Sequence, residues 1–306
     1  MVAGAEQTVA VIGLGSMGQG IAQSLLRAGF TVTGYDIDAQ ATARLAAAGG
    51  ALAASPAAAA QGAGVVVVVV VTAAQTEAVL FGADGAAASM LPQGVILSSA
   101  TMSPAEAGRL AAQADARNLH YLDAPISGGA ARAATGGLTV MASGSEAAFD
   151  RAAPALAALA QKVYRLGAAP GIGAAFKIIN QLLAGVHIAA ACEAITLARR
   201  LDLDIAKVYE VITASAGNSW MFENRMPHVL AGDYTAHSAI DIFAKDLGIV
   251  SEIGRERRFP LPIAAGALQM FLMASAAGMG RDDDSSVARL IAQITGLDLP
   301  GVERPA

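Results

Sequence analysis

The sequence predicts an α/β Rossmann domain followed by an all-α C-terminal domain, the two joined by a long helix. Three observations predict it. A β-branched run ends in Gly13-Leu14-Gly15-Ser16-Met17-Gly18 and opens into a helix-forming stretch. Strand-like and helix-like segments then alternate, as they do around an open parallel sheet. From Gly173 onward the strand-like windows disappear.

Thr8 to Ile12 reads as the first strand, Gly18 to Ala28 as a helix, and Thr31 to Tyr35, after Gly29, as the second strand. Ala39 to Ala48 reads as helix, and the alanine-rich patches at 46–60 and 152–160 read as helix too, because alanine has the highest helix propensity. Val65 to Val71 is an uninterrupted valine run, as expected of a strand buried on both faces. Gly94 to Ser99 and His120 to Asp123 supply further strands, with Pro104 to Ala114 between them, and Leu138 to Ala142 continues the pattern. The Gly167 to Gly173 stretch divides the chain, giving 1–168 as a NAD-binding domain and 169–306 as a helical substrate and oligomerisation domain. Turns in the second part fall at Gly217-Asn218, Gly232-Asp233, Pro260 to Pro262 and Gly278 to Gly280.

Composition excludes several functions. The 306 residues suffice for two domains, and 55% are hydrophobic, with a mean hydropathy of +0.51. Much of that is alanine. Val65 to Val71 is far shorter than the roughly 20 residues a spanning helix needs, and Ile178 to Cys192 is interrupted by Asn180, Gln181 and His187, so no membrane partner is expected. The start, Met1 to Glu6, lacks the basic and apolar regions of a secretory leader, and the single Cys192 permits no internal disulfide. A cytoplasmic protein is expected. A net charge of −5 without a basic cluster argues against nucleic acid, whose phosphates demand Lys and Arg. One cysteine and the scattered His120, His187, His228 and His237 offer no metal site. The expected partners are a small-molecule substrate and copies of the chain itself.

In the Gly13-x-Gly15-x-x-Gly18 loop the first glycine permits a tight turn, the second lets a pyrophosphate approach the backbone, and the third lets helix pack on strand. The helix N-terminus behind it offers N–H groups to phosphate. Asp36 ends the second strand, where a carboxylate accepts the hydroxyls of an adenine ribose. It would repel a 2′-phosphate, and Ile37-Asp38 supplies no arginine to bind one, so NAD is predicted over NADP.

Lys177 stands near the start of an apolar helix with Asn180 and Gln181 at i+3 and i+4, on one stripe. An amine and two amides are costly to bury unpaired, so they are either solvated or line a polar cleft. In a hydride-transfer site such a lysine can move the proton of the reacting hydroxyl. Asp123-Ala124-Pro125-Ile126-Ser127-Gly128-Gly129 is the second candidate: its glycines leave N–H groups to cradle an anion, with Ser127 as a further donor, or it is a surface turn. Lys245-Asp246 is either a ligand contact or a solvated helix pair. A short-chain dehydrogenase is excluded, since no tyrosine has a lysine four residues on.

Four separated motifs in this order resemble the β-hydroxyacid dehydrogenase family, whose members include 3-hydroxyisobutyrate dehydrogenase. They are Val11 to Gly18, Asp123 to Gly129, Gly171-Ile172-Gly173 leading to Lys177 to Gln181, and Lys245-Asp246-Leu247. The resemblance implies Lys177 as the catalytic lysine and Ser127, Gly128 and Gly129 as the cradle for a substrate carboxylate. It implies that Ser127, Asn180 and Gln181 share the catalytic site, although many members carry Asn-Asn where this chain has Asn180-Gln181. Leu14, Ser16, Met17, Thr72, Thr101 and Lys245 join the glycines and Asp36 as cofactor positions. The family pattern also implies a homo-oligomer, dimer or tetramer. Asn218 to Arg225, His237 to Phe243 and Gln181 to Ile188 are most similar to members that oxidise L-threonate at C2 to 2-oxo-tetronate. Trp220 and Phe222 are then substrate contacts, or else core. The alternatives are oxidation of 3-hydroxyisobutyrate, reduction of tartronate or succinic semialdehyde, and a nucleotide-binding regulatory protein without chemistry.

Overall fold

The computed structural model describes residues 8–302; the start read as lacking a leader, Met1 to Glu6, lies outside the described residues. The chain divides into two compact units, one ending at Lys177 and the other beginning at Ile178.

In the first unit, β1 (Thr8–Ile12), α1 (Ser16–Arg27), β2 (Thr31–Tyr35) and α2 (Ala39–Ala47) follow the expected alternation. The alanine-rich patch after them is not one helix. It breaks into the short strand β3 (Ala51–Leu52) and the single-turn helix α3 (Pro56–Ala59), because Gly49-Gly50 ends α2 and Ser55 with Pro56 starts a new turn. Next come β4 (Val65–Val68), α4 (Ala73–Phe81), β5 (Val95–Ser98), α5 (Pro104–Asp115) and β6 (His120–Asp123). These six strands form one parallel sheet in the order β3-β2-β1-β4-β5-β6. The order reverses between β1 and β4, and ligands of such sheets bind outside the carboxyl ends of the strands at that switch.

The valine run is a strand over only its first four residues. Val65 and Val67 enter the core on one face of the sheet and Val66 and Val68 the core on the other, which explains why all are apolar. Val69 to Val71 leave the strand because a capping box claims the chain: the Gln75 side chain accepts from the Val71 and Thr72 N–H groups, and Thr72 Oγ1 accepts from Gln75 N–H.

Beyond β6 the chain does not extend that sheet. β7 (Ile126–Ser127), α6 (Gly129–Thr135), β8 (Leu138–Ala142), α7 (Glu146–Leu159) and β9 (Ala160–Arg165) follow. The strands make a separate sheet ordered β7-β8-β9, with β7 antiparallel to β8 and β9 parallel to it. Leu138 to Ala142 therefore belongs to a different sheet from the one its sequence pattern suggested. β9 carries Gln161, Lys162 and Arg165, so this polar edge strand has no apolar run to mark it in the sequence.

α8 (Ile172–Arg200) is 29 residues long and carries the chain into the second unit. There α9 (Ile205–Thr213), α10 (Trp220–Ala231), α11 (Ile240–Glu256), α12 (Pro262–Ala274) and α13 (Val287–Thr295) follow. Their core gathers Ile188, Cys192, Ile195, Met226, Leu247 and the stacked Phe243–Phe271 pair, ring centroids 5.3 Å apart. Two helical stretches, Ile172–Arg200 and Pro262–Met279, are long and apolar enough by length and composition to cross a membrane. The first contains the interrupted stretch Ile178 to Cys192, and the apolar run of the second is broken by Gly266, Gln269 and Ser275. Half of the apolar window in the first is buried within the protein.

Candidate active site

The glycine loop turns directly off β1. Gly13 N–H donates to Tyr35 O at 2.9 Å, tying the loop to the end of β2. A Cβ on Gly18 would lie 1.8 Å from Gly13 O, so only glycine lets α1 begin so close to the strand. Gly15 is the N-cap of α1 and no side chain caps that helix start. A Cβ at Gly15 would meet nothing within 4 Å. An uncapped helix start behind an open glycine has the donor set that a pyrophosphate requires. The open glycine and uncapped helix start thus fit the phosphates of a dinucleotide. The Leu14 side chain is fully buried in the core and Met17 packs against the core, so the Leu14 side chain is not offered to a ligand.

Asp36 has both carboxylate oxygens engaged. Leu14 N–H donates to Oδ2 at 2.5 Å and Asp38 N–H donates to Oδ1 at 2.8 Å. These contacts fix a negative charge beside the loop at the end of β2. Thr72 lies past the end of β4, its hydroxyl used to cap α4, and Thr101 lies past the end of β5. Gly13, Asp36, Thr72 and Thr101 thus all follow the carboxyl ends of strands of the parallel sheet.

The second group in this unit joins motifs 50 residues apart in sequence. Lys177, only 8% exposed, sends its Nζ to the carbonyl oxygen of Ile126 at 2.8 Å. Ile126 and Ser127 form β7, and Gly128 and Gly129 start α6. The lysine is therefore drawn to the backbone beside Ser127, which excludes the reading of Lys177 as a solvated helix-start residue.

In the second unit the polar stripe of α8 continues. Asn180 Nδ2 donates to Gln181 Oε1 at 2.9 Å, and Gln181 Nε2 donates to Asp246 Oδ2 at 2.5 Å. Lys245 Nζ lies 2.8 Å from Asp246 Oδ1. Asp246 is 1% exposed and binds groups on two helices, α8 and α11. Of the Lys245-Asp246 pair, Asp246 is thus withdrawn from solvent, while 22% of the Lys245 side chain stays exposed. Gln181 is committed at both ends of its amide, whereas Asn180 is the less buried of the two amides. Trp220 is 48% exposed at the start of α10, but Phe222 is buried, its ring stacked on Tyr209 at 5.9 Å, so Phe222 is placed as core.

Sequence reasoning missed a buried charged cluster in this unit. Arg225 Nε and Nη2 reach Asp284 Oδ1 and Oδ2 at 2.6 and 3.0 Å, a bidentate pair. Burial pushes the Asp284 carboxyl up to about 6 against the pull of Arg225. Burial would raise Asp283 too, but hydrogen bonds from His228, Ser285 and the His237 backbone outweigh it and hold that carboxyl at about 2. Arg225 and Asp284 stand 59 residues apart, and nothing local in the sequence signals that they pair.

Residues 8–167 match the family described as the NAD-binding domain of 6-phosphogluconate dehydrogenase, and residues 171–291 match the domain described as NAD-binding of NADP-dependent 3-hydroxyisobutyrate dehydrogenase. The chain belongs to the 3-hydroxyisobutyrate dehydrogenase-like family. This chain is an NAD(P)-dependent hydroxyacid dehydrogenase. Similar over nearly their whole length are the L-threonate dehydrogenases of Cupriavidus necator, 56% identical with 97% of this chain and 99% of that protein covered, and of Escherichia coli strain K12, 50% identical with 99% and 100% covered. A crystal structure described as 3-hydroxyisobutyrate dehydrogenase from Salmonella typhimurium is 53% identical, with a TM-score of 0.89 over 92% of this chain and 99% of that one. These relatives carry two substrate names.

Proposed function

We propose that this dehydrogenase oxidises the C2 hydroxyl of L-threonate to 2-oxo-tetronate with NAD. The observation that carries the proposal is the 2.8 Å contact between Lys177 Nζ and Ile126 O, which puts an amine beside the Ser127-Gly128-Gly129 cradle. The high identity to proteins named L-threonate dehydrogenase supports the choice of substrate.

In this reading the substrate carboxylate accepts from the Ser127 hydroxyl and the N–H groups of Gly128 and Gly129. That docking presents the C2 hydroxyl to Lys177, whose neutral amine takes the hydroxyl proton as the carbonyl forms. The bound dinucleotide supplies the acceptor for the hydride lost from C2. Asp36 selects NAD because its carboxylate, already held by Leu14 and Asp38 N–H groups, would face the 2′-phosphate of NADP without a compensating cation.

Lys177→Ala tests the assignment. We expect turnover of L-threonate to fall by about 1,000-fold or more, with NAD affinity, measured by calorimetry, within about twofold of wild type. Retained turnover would remove Lys177 from the chemistry; equal loss of turnover and NAD binding would show a folding defect instead.

A further inference from the structure

One buried carboxylate of the first unit takes no part in those steps. Asp123, at the carboxyl end of β6, is 1% exposed. Its Oδ2 accepts the backbone N–H of Gly171 at 2.9 Å and of Ala174 at 2.7 Å, and the Ser143 hydroxyl donates to the same oxygen at 3.3 Å. Ser143 Oγ in turn accepts the N–H of Gly173 at 2.9 Å. These three amides lie at the start of α8, where a helix leaves its first N–H groups without internal partners. A negative group there is also favoured by the helix dipole. The approach is close: a Cβ on Gly173 would lie 2.3 Å from Met141 O and 2.7 Å from Asp123 O.

The same segment touches α8 a second time. Three residues after Asp123, the Ile126 carbonyl accepts Lys177 Nζ. Residues 123–126 thus hold the helix by its backbone at one point and by its functional lysine at another. Rotation or sliding of the first turn of α8 would draw Lys177 away from Ser127, and the Asp123–Ser143 pair blocks that movement.

We propose that Asp123, acting with Ser143, is a positioning residue that sets Lys177 against the Ser127 cradle. The proposal rests on the reading of Lys177 as the proton-transfer residue. The charge contributes as well as the geometry: burial pushes the Asp123 carboxyl above its ordinary value, and the Ala174 and Gly171 amides and the Ser143 hydroxyl oppose that rise by favouring its ionised form. The carboxylate offsets the positive end of α8; without it the lysine ammonium is disfavoured and its titration moves to lower pH. The buried phenol of Tyr121 on β6 also interacts with Asp123; burial pushes it above its ordinary range, so it stays neutral.

The test is Asp123→Asn, with Ser143→Ala as the gentler partner variant. In Asp123→Asn we expect kcat for the hydroxyacid to fall at least tenfold, NAD affinity to stay within twofold, and the acid limb of the kcat–pH profile to move down by half a unit or more. In Ser143→Ala we expect a three- to tenfold fall in kcat and a smaller shift in the same direction. A purely structural role would lower melting temperature and active fraction while leaving the pH profile of the remaining activity in place, and that result overturns the proposal. If Asp123→Asn does not fold, Ser143→Ala decides: an unmoved kcat and profile there overturns it too. Failure here is distinct from failure of the catalytic reading, because that one is read from Lys177→Ala alone.

Discussion

The two units solve the problem of placing polar groups in different ways. In the first, backbone amides and carbonyls just past strand ends, Gly13 to Gly18 after β1 and Ile126 to Gly129 after β6, do most of the work, joined by the side chains of Asp36 after β2 and of Lys177. Parallel strands leave their carboxyl ends together, so the sheet order itself assembles the site. In the second unit the groups are side chains buried on helix faces, paired with one another: Gln181 and Lys245 on Asp246, Arg225 on Asp284, His228 on Asp283. A backbone site tolerates little change of residue volume at its glycines. A side-chain site tolerates changes of volume and fails when a buried partner is removed.

The sharpest way to break this comparison is Gly18→Ala. The added methyl must displace Gly13 O, so α1 has to shift from the loop. Overpacking of this kind costs about 3 kcal/mol, and we expect NAD affinity to fall by about 100-fold. Near-normal binding of NAD by a folded Gly18→Ala protein would show that the loop is not a close-packed cradle. Next in size is Asp36→Ala. We expect the ratio of kcat/KM for NAD over NADP to fall by about tenfold, as a repulsive charge and two ribose contacts are lost. An unchanged ratio would place cofactor choice elsewhere.

The third prediction sharpens the other side of the comparison. Gln181→Ala should cost about 1–3 kcal/mol in chemical denaturation, because Asp246 loses a buried donor. Asn180→Ala should leave stability within about 0.5 kcal/mol and act on kcat/KM for the substrate. The reverse pattern would make Gln181 the substrate amide and Asn180 the framework.

The smallest effect concerns Asp283. Its carboxyl is held at about 2, below the ordinary 3.8. A depressed carboxylate contributes stability that is present above its unfolded value and lost as pH falls through its folded one. Unfolding free energy should therefore drop by about 1 kcal/mol between roughly pH 4 and 2. Asp283→Asn should lack that increment and be less stable at neutral pH; an identical acid profile in the variant would contradict it.

The same contrast explains what the sequence could tell. The glycine loop, Asp36 and the first strands are legible because their constraints are local: a turn needs glycine, and a strand buried on both faces needs an unbroken apolar run. The shortening of the valine strand was not legible, since Gln75 decides it from four residues beyond Val71. β9 was missed because a polar edge strand has no apolar run to find. Lys177 and Ser127 could each be singled out as polar groups in unexpected company, but their meeting at Ile126 depends on how Asp123 holds the start of α8. The Arg225–Asp284 pair lies 59 residues apart and leaves no periodic trace.

The central claim is that a NAD-dependent site built on Ser127 and Lys177 serves L-threonate. The relatives carry two substrate names, and one measurement decides between them: kcat/KM with NAD for L-threonate and for 3-hydroxyisobutyrate, on the same wild-type preparation. We predict at least about a 100-fold preference for L-threonate, because a site that hydrogen-bonds several hydroxyls rejects a substrate that lacks them. Equal values, or a preference for 3-hydroxyisobutyrate, would contradict the account.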